Sequence, residues 1–286
     1  VKQEAPEGLL LVDKPTGITS HDAVSAVRRA LGIKKVGHAG TLDPMATGLL
    51  LMGVGRATRL LRFFGELPKT YEGTLRLGVE TSTLDADGDV VRERPVEVDH
   101  AAVAASMAAL VGDSLQRPPA YSAVKVGGRK LYEAARAGEV LEAEPRPIKV
   151  EIFDLLTMQG TDVDFRVVCS GGTYVRVLAA DIGTALGCGA HLTRLRRTAI
   201  GPFPVEHARP PDDPGTPLPV EAAVTHLPRV DLLAAEAFAA SNGSVLGPAG
   251  IEGPYGVFGP TGDLIGVYRD EGPKGRPLVV LAPPPA

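Results

Sequence analysis

Residues 37–48, GHAGTLDPMATG, hold one carboxylate, Asp43, and one imidazole, His38, among glycines, threonines and a proline. Asp43 precedes Pro44, which biases its backbone toward extended conformations. The stretch has neither helical nor strand periodicity and predicts a stiff, tightly turned loop presenting a single acid. A free aspartate, with a pKa of about 3.9, is ionised at neutral pH, so as an oxygen nucleophile it needs orientation rather than activation. An aspartate in a Gly-rich loop more often caps a nearby backbone N–H, so the choice rests on what the chain places beside it. Tyr71 leads an alternating segment, where a core or rim aromatic is the plain alternative. Arg176 stands at the entry to a largely apolar helix, where an unpaired charge is costly. Asp43 or Asp181 could neutralise it.

The elements that must position these groups belong to a globular chain. Its 286 residues, 44% of them hydrophobic, suffice for one large domain and a small one. No uninterrupted apolar run approaches the roughly 18 residues of a membrane span, and residues 1–15 lack a secretory pattern. A cytoplasmic protein is therefore expected. Cys169 and Cys188 read as reduced, buried thiols, and the scattered histidines form no metal-ligand pattern. Three aspartates at 85, 87 and 89 imitate the start of a calcium loop. Val90 and Val96 stand where glycine and glutamate are needed, so a hairpin-like turn around Asp87-Gly88 is preferred.

The net charge of −4 argues mildly against a polyanionic partner, but the charges are segregated. Lys14, Arg28, Arg29, Lys34, Lys35, Arg56, Arg59, Arg62 and Lys69 make one stretch basic, and residues 72–99 are acidic. Local field governs an encounter with phosphate.

Residues 9–12 predict a strand, and Thr19 or Ser20 can cap a helix ended by Gly32. Residues 49–54 predict a strand or buried turn. Residues 56–64 predict a helix whose Arg56, Arg59 and Arg62 form a row that is either solvated or phosphate-binding. Tyr71, Gly73, Leu75, Leu77 and Val79 share one face of a half-buried strand. An Ala-rich helix over 99–111, started by Asp99 and ended by Gly112, follows. Residues 113–149, with Ser122, Lys125, Arg129 and Lys130, read as an excursion able to close on a ligand, or as a surface hairpin. Strands over 150–158 and 163–169 precede a turn and a helix at 177–186. An extended segment at 192–200 points Leu195 opposite to Arg194 and Arg196. Residues 208–219 read as a Pro-rich linker. A short helix at 221–227, an Ala-rich helix over 231–240, short strands and a frayed tail at 282–286 complete the chain.

Several stretches carry a resemblance: LLVDKPTGITSH at 10–21, GHAGTLDPMATGLL at 37–50, KTYEGTLRLGVETSTLDADG at 69–88, RPPAYSAVKVGGRKLYEAAR at 117–136, GTYVRVLAADIG at 172–183 and LRRTAIGPF at 195–203. In order and spacing the chain resembles the pseudouridine synthase family, and within it the stand-alone bacterial enzymes that isomerise uridine 55 in the tRNA T-loop. The resemblance implies an α+β fold: a mixed, mainly antiparallel sheet flanked by helices, plus a small β-rich C-terminal module. It implies a catalytic domain over 1–228, with an RNA-clasping excursion at 117–147, and a reduced, PUA-like RNA-binding module over 229–286. Asp43 matches the catalytic aspartate, Tyr71 the tyrosine that stacks on the target base, and Arg176 the arginine that pairs with the aspartate. Leu195 matches the aliphatic residue packing against the pocket, His38 a histidine that holds the flipped nucleotide, and Lys14 a lysine near the site. Tyr174 lies in a matching segment and would support the pocket. Arg56, Arg59, Lys125, Arg129 and Lys130 would hold phosphates.

The implied partner is the T-arm and T-loop of tRNA, with no guide RNA, no membrane and a monomeric enzyme. Breaking the C1′–N1 bond and joining C1′ to C5 requires neither redox chemistry nor hydrolysis, so no cofactor or metal is expected. Asp43 could attack C1′ or C6, or remove a sugar proton. Tyr71 is the candidate base at C5, but a tyrosine of pKa about 10 is barely ionised at neutral pH, so that role needs help from a neighbour. The competing readings are a non-catalytic tRNA-binding or folding protein and an acid-dependent glycosidase-type hydrolase. The hydrolase needs a second carboxylate about 5–9.5 Å from Asp43, and none accompanies it in its loop.

Overall fold

The computed structural model describes residues 6–139 and 141–281, so the frayed tail expected at 282–286 lies outside the described residues. The chain begins with β1 (Gly8–Lys14), α1 (Ser20–Leu31), β2 (Val36–Ala39), β3 (Thr47–Val54) and a 3₁₀ helix (Gly55–Phe64). Next come β4 (Lys69–Leu77), β5 (Val79–Thr81), β6 (Val90–Glu93), α2 (His100–Ala108) and β7 (Gly112–Gln116). An excursion carries β8 (Lys125–Val126), β9 (Arg129–Lys130) and α3 (Leu131–Arg136), before β10 (Arg146–Gln159) and β11 (Asp162–Cys169) return to the sheet. Then follow α4 (Val175–Ala185), β12 (Ala190–Ile200) and β13 (Phe203–Pro204). The C-terminal part holds β14 (Arg229–Asp231), α5 (Ala234–Ser241), β15 (Pro254–Phe258), β16 (Leu264–Glu271) and β17 (Lys274–Val280).

The main sheet has the order β1-β3-β12-β4-β11-β10-β7, with β2 on β3 and β13 on β12. It is antiparallel except where β12 runs parallel to β3. A smaller sheet, β14-β15-β16-β17, forms the C-terminal part. The fold is thus the α+β arrangement expected from the resemblance.

β3 is an unbroken apolar run because both its faces are covered. Leu50, Met52 and Val54 join a core with α1, α2 and α4, while Leu49 and Leu51 join another with the 3₁₀ helix and the C-terminal sheet. Burying each such leucine contributes about 2 kcal/mol over leaving it in water. β4 alternates as predicted: Tyr71, Gly73, Leu75 and Leu77 are buried, and Glu72 and Arg76 are exposed. The alternation stops at Gly78, so Val79 opens a separate strand, β5.

Local expectations need correction at several points. The stiff loop is shorter than 37–48, since β2 and β3 take both ends and leave 40–46 as their connection. Thr19 caps α1 in a capping box with Asp22, freeing Ser20 for another task. α2 ends at Ala108, and Gly112 opens β7 rather than closing the helix. Asp231 ends a strand, and α5 starts only at Ala234.

The Pro-rich segment is not a free linker. Arg209 N donates to Leu11 O at 3.0 Å, Asp13 N to Arg209 O at 2.9 Å, and Leu218 N to Leu9 O at 2.8 Å. β1 is the sheet edge, and an edge with open backbone groups must be covered. Isolated bridges do this without needing an N–H from the prolines.

The β12–β3 contact requires a glycine. Gly48 has φ 102°, and a Cβ there would lie 2.3 Å from the Arg197 carbonyl oxygen. Gly48→Ala is expected to destabilise the protein by about 3 kcal/mol or more, read as a lower urea midpoint. An unchanged midpoint would show that the two strands can separate without cost.

Candidate active site

The loop at 40–46 owes its shape to residues outside it. Ser20, 2% exposed, clamps Leu42 from both sides: its hydroxyl donates to Leu42 O at 3.1 Å and accepts from Leu42 N at 2.9 Å. Pro44 O accepts from Gly17 N at 2.9 Å and from Lys14 Nζ at 3.2 Å. Arg197 Nη2 donates to Gly40 O at 3.1 Å. Asp43 is therefore held between fixed neighbours, the orientation an ionised nucleophile needs.

Asp43 opens on a cavity of about 550 Å³, which Tyr71, Tyr174, Arg176 and Leu195 also line. Arg176 Nη2 lies 3.5 Å from Asp43 Oδ2. Its partners are Asp43 and Asp85, and Asp181 has no part in the pairing. Arg176 Nη1 meets Asp85 Oδ2 at 3.2 Å, with both side chains 5% exposed. Nη2 also donates to Tyr121 O at 2.8 Å. Breaking such a buried pair by removing one partner typically costs about 3–5 kcal/mol. Asp85 is held in turn by Thr83 Oγ1 and by Asp87 N at 3.2 Å, in the loop joining β5 to β6. Arg176 sits in the first turn of α4, whose start is set by Gln116. The Gln116 amide accepts from Tyr174 N at 2.8 Å and donates to Tyr174 O at 3.1 Å.

Asp43 keeps 40% of its side-chain surface accessible, as befits a group in a concave opening. The crowded cavity nevertheless pushes its pKa above the ordinary aspartate value by desolvation. Arg176 opposes that rise, and the charges of Asp85 and Asp87 add to it. Burial also raises the pKa of Tyr71, against the pull of Arg197. Tyr71 is thus a neutral phenol at physiological pH. The group that meets its hydroxyl is Arg197, not anticipated from the sequence, whose Nη1 donates to Tyr71 Oη at 3.5 Å.

The remaining predicted contacts fall elsewhere. Lys14 is fully buried, its ammonium used by the carbonyls of Pro15, Ile18 and Pro44, and burial brings its pKa down to about 8. It shapes the 40–46 loop from beneath. His38 lies on β2, pairing with Met52 across the strands, and its pKa is lowered by burial. Its Nδ1 is buried without a partner among the described residues. Arg56 donates through Nε to Glu7 Oε2 at 2.8 Å, and Arg59 donates to Val280 O, so both tie the 3₁₀ helix to other parts of the chain. Lys125, Arg129 and Lys130 sit on the β8–β9 hairpin, where Arg129 pairs with Glu139 at 2.7 Å and Lys130 with Glu133 at 3.6 Å.

Residues not anticipated as site residues complete the cavity wall: Asp85, Lys69, Arg197, Tyr121 and Ser122. Arg197 had a signal, since period-two alternation puts it on the same face as Leu195. Asp85 had none, because nothing local distinguishes it from the neighbouring turn aspartates. The second carboxylate that a hydrolase needs is missing from the Asp43 loop, but Asp85 and Asp87 reach the cavity from the β5–β6 loop. Asp85 is committed to Arg176.

Residues 28–175 match the model of the TruB family pseudouridylate synthase, N terminal domain. Residues 176–209 match the tRNA pseudouridylate synthase B C-terminal domain, and residues 227–282 match tRNA Pseudouridine synthase II, C terminal. The tRNA pseudouridine synthase B of Mycobacterium bovis (strain BCG / Pasteur 1173P2) is 46% identical over 286 residues, covering 96% of each chain. The protein of that name from Thermobifida fusca (strain YX) is 45% identical, over 96% of this chain and 99% of its own. Among solved structures, an H/ACA RNP bound to a substrate RNA containing 2′-deoxyuridine superposes with a TM-score of 0.72 at 26% identity, over 96% of this chain and 85% of the other. A Cbf5-Nop10-Gar1 complex gives 0.72 at 29% identity, over 96% and 84%. With such matches along most of its length, this chain belongs to the TruB family of pseudouridylate synthases.

Proposed function

We propose that the protein converts uridine 55 of the tRNA T-loop to pseudouridine, with Asp43 as the catalytic carboxylate, Arg176 as its partner and Tyr71 as the aromatic floor for the target base. The observation that carries the reading is the Asp43–Arg176 pair, 3.5 Å apart beside Tyr71 in one cavity. It stands in a chain 46% identical to a tRNA pseudouridine synthase B. A base inside a folded loop must first be extruded, and the cavity can receive it. Asp43 then faces the sugar and base with its charge maintained by Arg176, while the C1′–N1 bond breaks and C1′ joins C5. Tyr71, neutral and buried, offers stacking surface and a hydroxyl rather than a ready-made base. Leu195 and Tyr174 line the same cavity and would pack against the nucleotide.

Lys125, Arg129 and Lys130 on the excursion would meet RNA phosphates. The ion pairs of Arg129 and Lys130 are solvent-exposed and weak enough for phosphate to displace. The protein would act in the cytoplasm as a monomer without guide RNA. The two free, buried thiols suit a reducing compartment. Among the described residues, no helix is long and apolar enough to cross a membrane.

Tritium release from [5-³H]uridine-labelled tRNA tests the chemistry. Asp43→Asn is expected to lower the single-turnover rate on the order of 10⁴-fold or more, with RNA binding retained. Equal release by both proteins would remove Asp43 from the mechanism. Binding without release by either would favour a scaffold, and free uracil in place of pseudouridine would indicate hydrolysis.

The pH dependence has a definite sign. Asp43 acts ionised and its pKa is raised, so activity should fall on acidification at a pH above the ordinary aspartate value of about 3.9. Arg176 lowers that pKa, so Arg176→Met should move the acid limb further up, whereas Arg176→Lys should largely hold it in place. An acid limb unmoved by Arg176→Met would rule out this electrostatic role.

Deleting residues 122–130 should weaken binding of a T-arm hairpin by roughly tenfold or more, about 1.4 kcal/mol, with little change in melting temperature. Unaltered affinity would exclude the excursion from RNA binding.

A further inference from the structure

The cavity has a second charged feature that the catalytic pair does not use. Lys69 and Arg197 both line it, 6% and 1% exposed. Strand register explains the grouping. Arg197 on β12 lies directly across from Tyr71 on β4, and Lys69 precedes Tyr71 by two residues on the same face. Among the described residues, neither cation makes an ion pair with a carboxylate. Backbone carbonyls hold them instead. Lys69 Nζ donates to Phe64 O at 3.1 Å, Gly65 O at 2.6 Å and Leu67 O at 2.5 Å. Arg197 Nε donates to Leu49 O at 2.7 Å and its Nη2 to Gly40 O at 3.1 Å. Carbonyl dipoles satisfy the N–H groups but do not cancel the charge, and a net buried charge is expensive to keep.

The two cations load each other as well. Burial, followed by the charge of Arg197, lowers the Lys69 pKa to about 8. The cavity is thus polarised. One pole is acidic, with Asp43 and Asp85 on Arg176 and Asp87 beside them in the lining, and the other is basic, with Lys69 and with Arg197 5.9 Å from the Tyr71 ring centre.

We propose that Arg197 and Lys69 form an anion-stabilising wall for the detached uracil, matching the charge separation that arises when the glycosidic bond breaks. The inference rests on the isomerase reading of the site. In the step concerned, the C1′–N1 bond breaks and its electron pair stays on the base, spread over N1, O2 and O4. The Asp43 carboxylate meets the electron deficit at C1′. When C5 joins C1′ the carboxylate is regenerated, the C5 proton passes to water, and N1 takes up a proton from water. No oxidant or co-reactant is required. Preorganised charges facing a developing anion in a water-poor site are the most effective form of such stabilisation. A backbone phosphate is the other anion to consider. Arg197 lies beside the ring on which the base would stack, and the near-complete burial of both cations suits the base better than the strand.

The test compares two T-arm hairpins, one with uridine and one with 5-fluorouridine at the target position, both scored by disappearance of the starting nucleoside after nuclease digestion, because the fluorinated base breaks C1′–N1 but has no C5 proton to lose. Fluorine makes N1 more acidic and the base a better leaving group, so it needs less help. With Arg197→Met, the single-turnover loss should be on the order of 10²-fold for uridine but at most about tenfold for 5-fluorouridine, with the hairpin Kd unchanged. Lys69→Met should show the same narrowing, and Arg197→Lys should recover part of the uridine rate. The ratio of the two rates within one preparation is independent of how much variant protein is folded. Equal losses on both substrates would overturn the proposal, and a weakened Kd with equal losses would assign the wall to phosphate. Failure of the wild type to convert the uridine hairpin would instead reject the isomerase reading itself.

Discussion

The Arg176 guanidinium is the point at which the site is joined. It is almost wholly buried, and a buried guanidinium must be neutralised. Its neighbours come from separate parts of the chain: Asp43 from the β2–β3 loop, Asp85 from the β5–β6 loop and the Tyr121 carbonyl from the excursion. Gln116, at the root of that excursion, fixes the backbone of Tyr174 two residues before Arg176. The charge that keeps Asp43 ionised in a desolvated cavity therefore also anchors the segment proposed to close on RNA. Asp85 takes up one edge of the guanidinium, which leaves Asp43 a longer and more open contact.

Much of the basic character of the N-terminal part is used internally. Lys14 shapes the 40–46 loop, Arg28 donates to Val36 O at 2.7 Å, Arg56 binds Glu7 and Arg59 reaches the C-terminal sheet. Only part of a run of positive residues in sequence therefore becomes positive surface. Arg29, Lys34, Lys35 and Arg62 of that run stay exposed, as do side chains of the excursion. Those that face the cavity, Lys69 and Arg197, are hidden in an alternating strand pattern.

The opposed poles of the cavity follow from the same topology. The loops and α4 contribute the acidic side with its arginine, while the central strands β4 and β12 contribute Lys69, Tyr71 and Arg197. Tyr71 sits between them, its proton held more tightly by burial than in water. This changes what the tyrosine can do: a stacking platform with an oriented hydroxyl follows directly, whereas a free phenolate does not.

Local patterns in the sequence determined the elements. Alternation defined β4, apolar continuity defined β3, and Thr19 with Gly32 bounded α1. The motif resemblance pointed to Asp43, Tyr71 and Arg176, which the fold brings to one cavity. Tertiary structure alone decided the partners. Asp85 joins Asp43 on Arg176 and Asp181 does not, Arg197 lies across from Tyr71, Lys14 turns inward, and the Pro-rich segment covers β1. Capping and alternation act between residues close in sequence and leave a periodic trace. Ion pairing and edge covering join residues far apart, where only the strand register and the need to neutralise buried charge select the match.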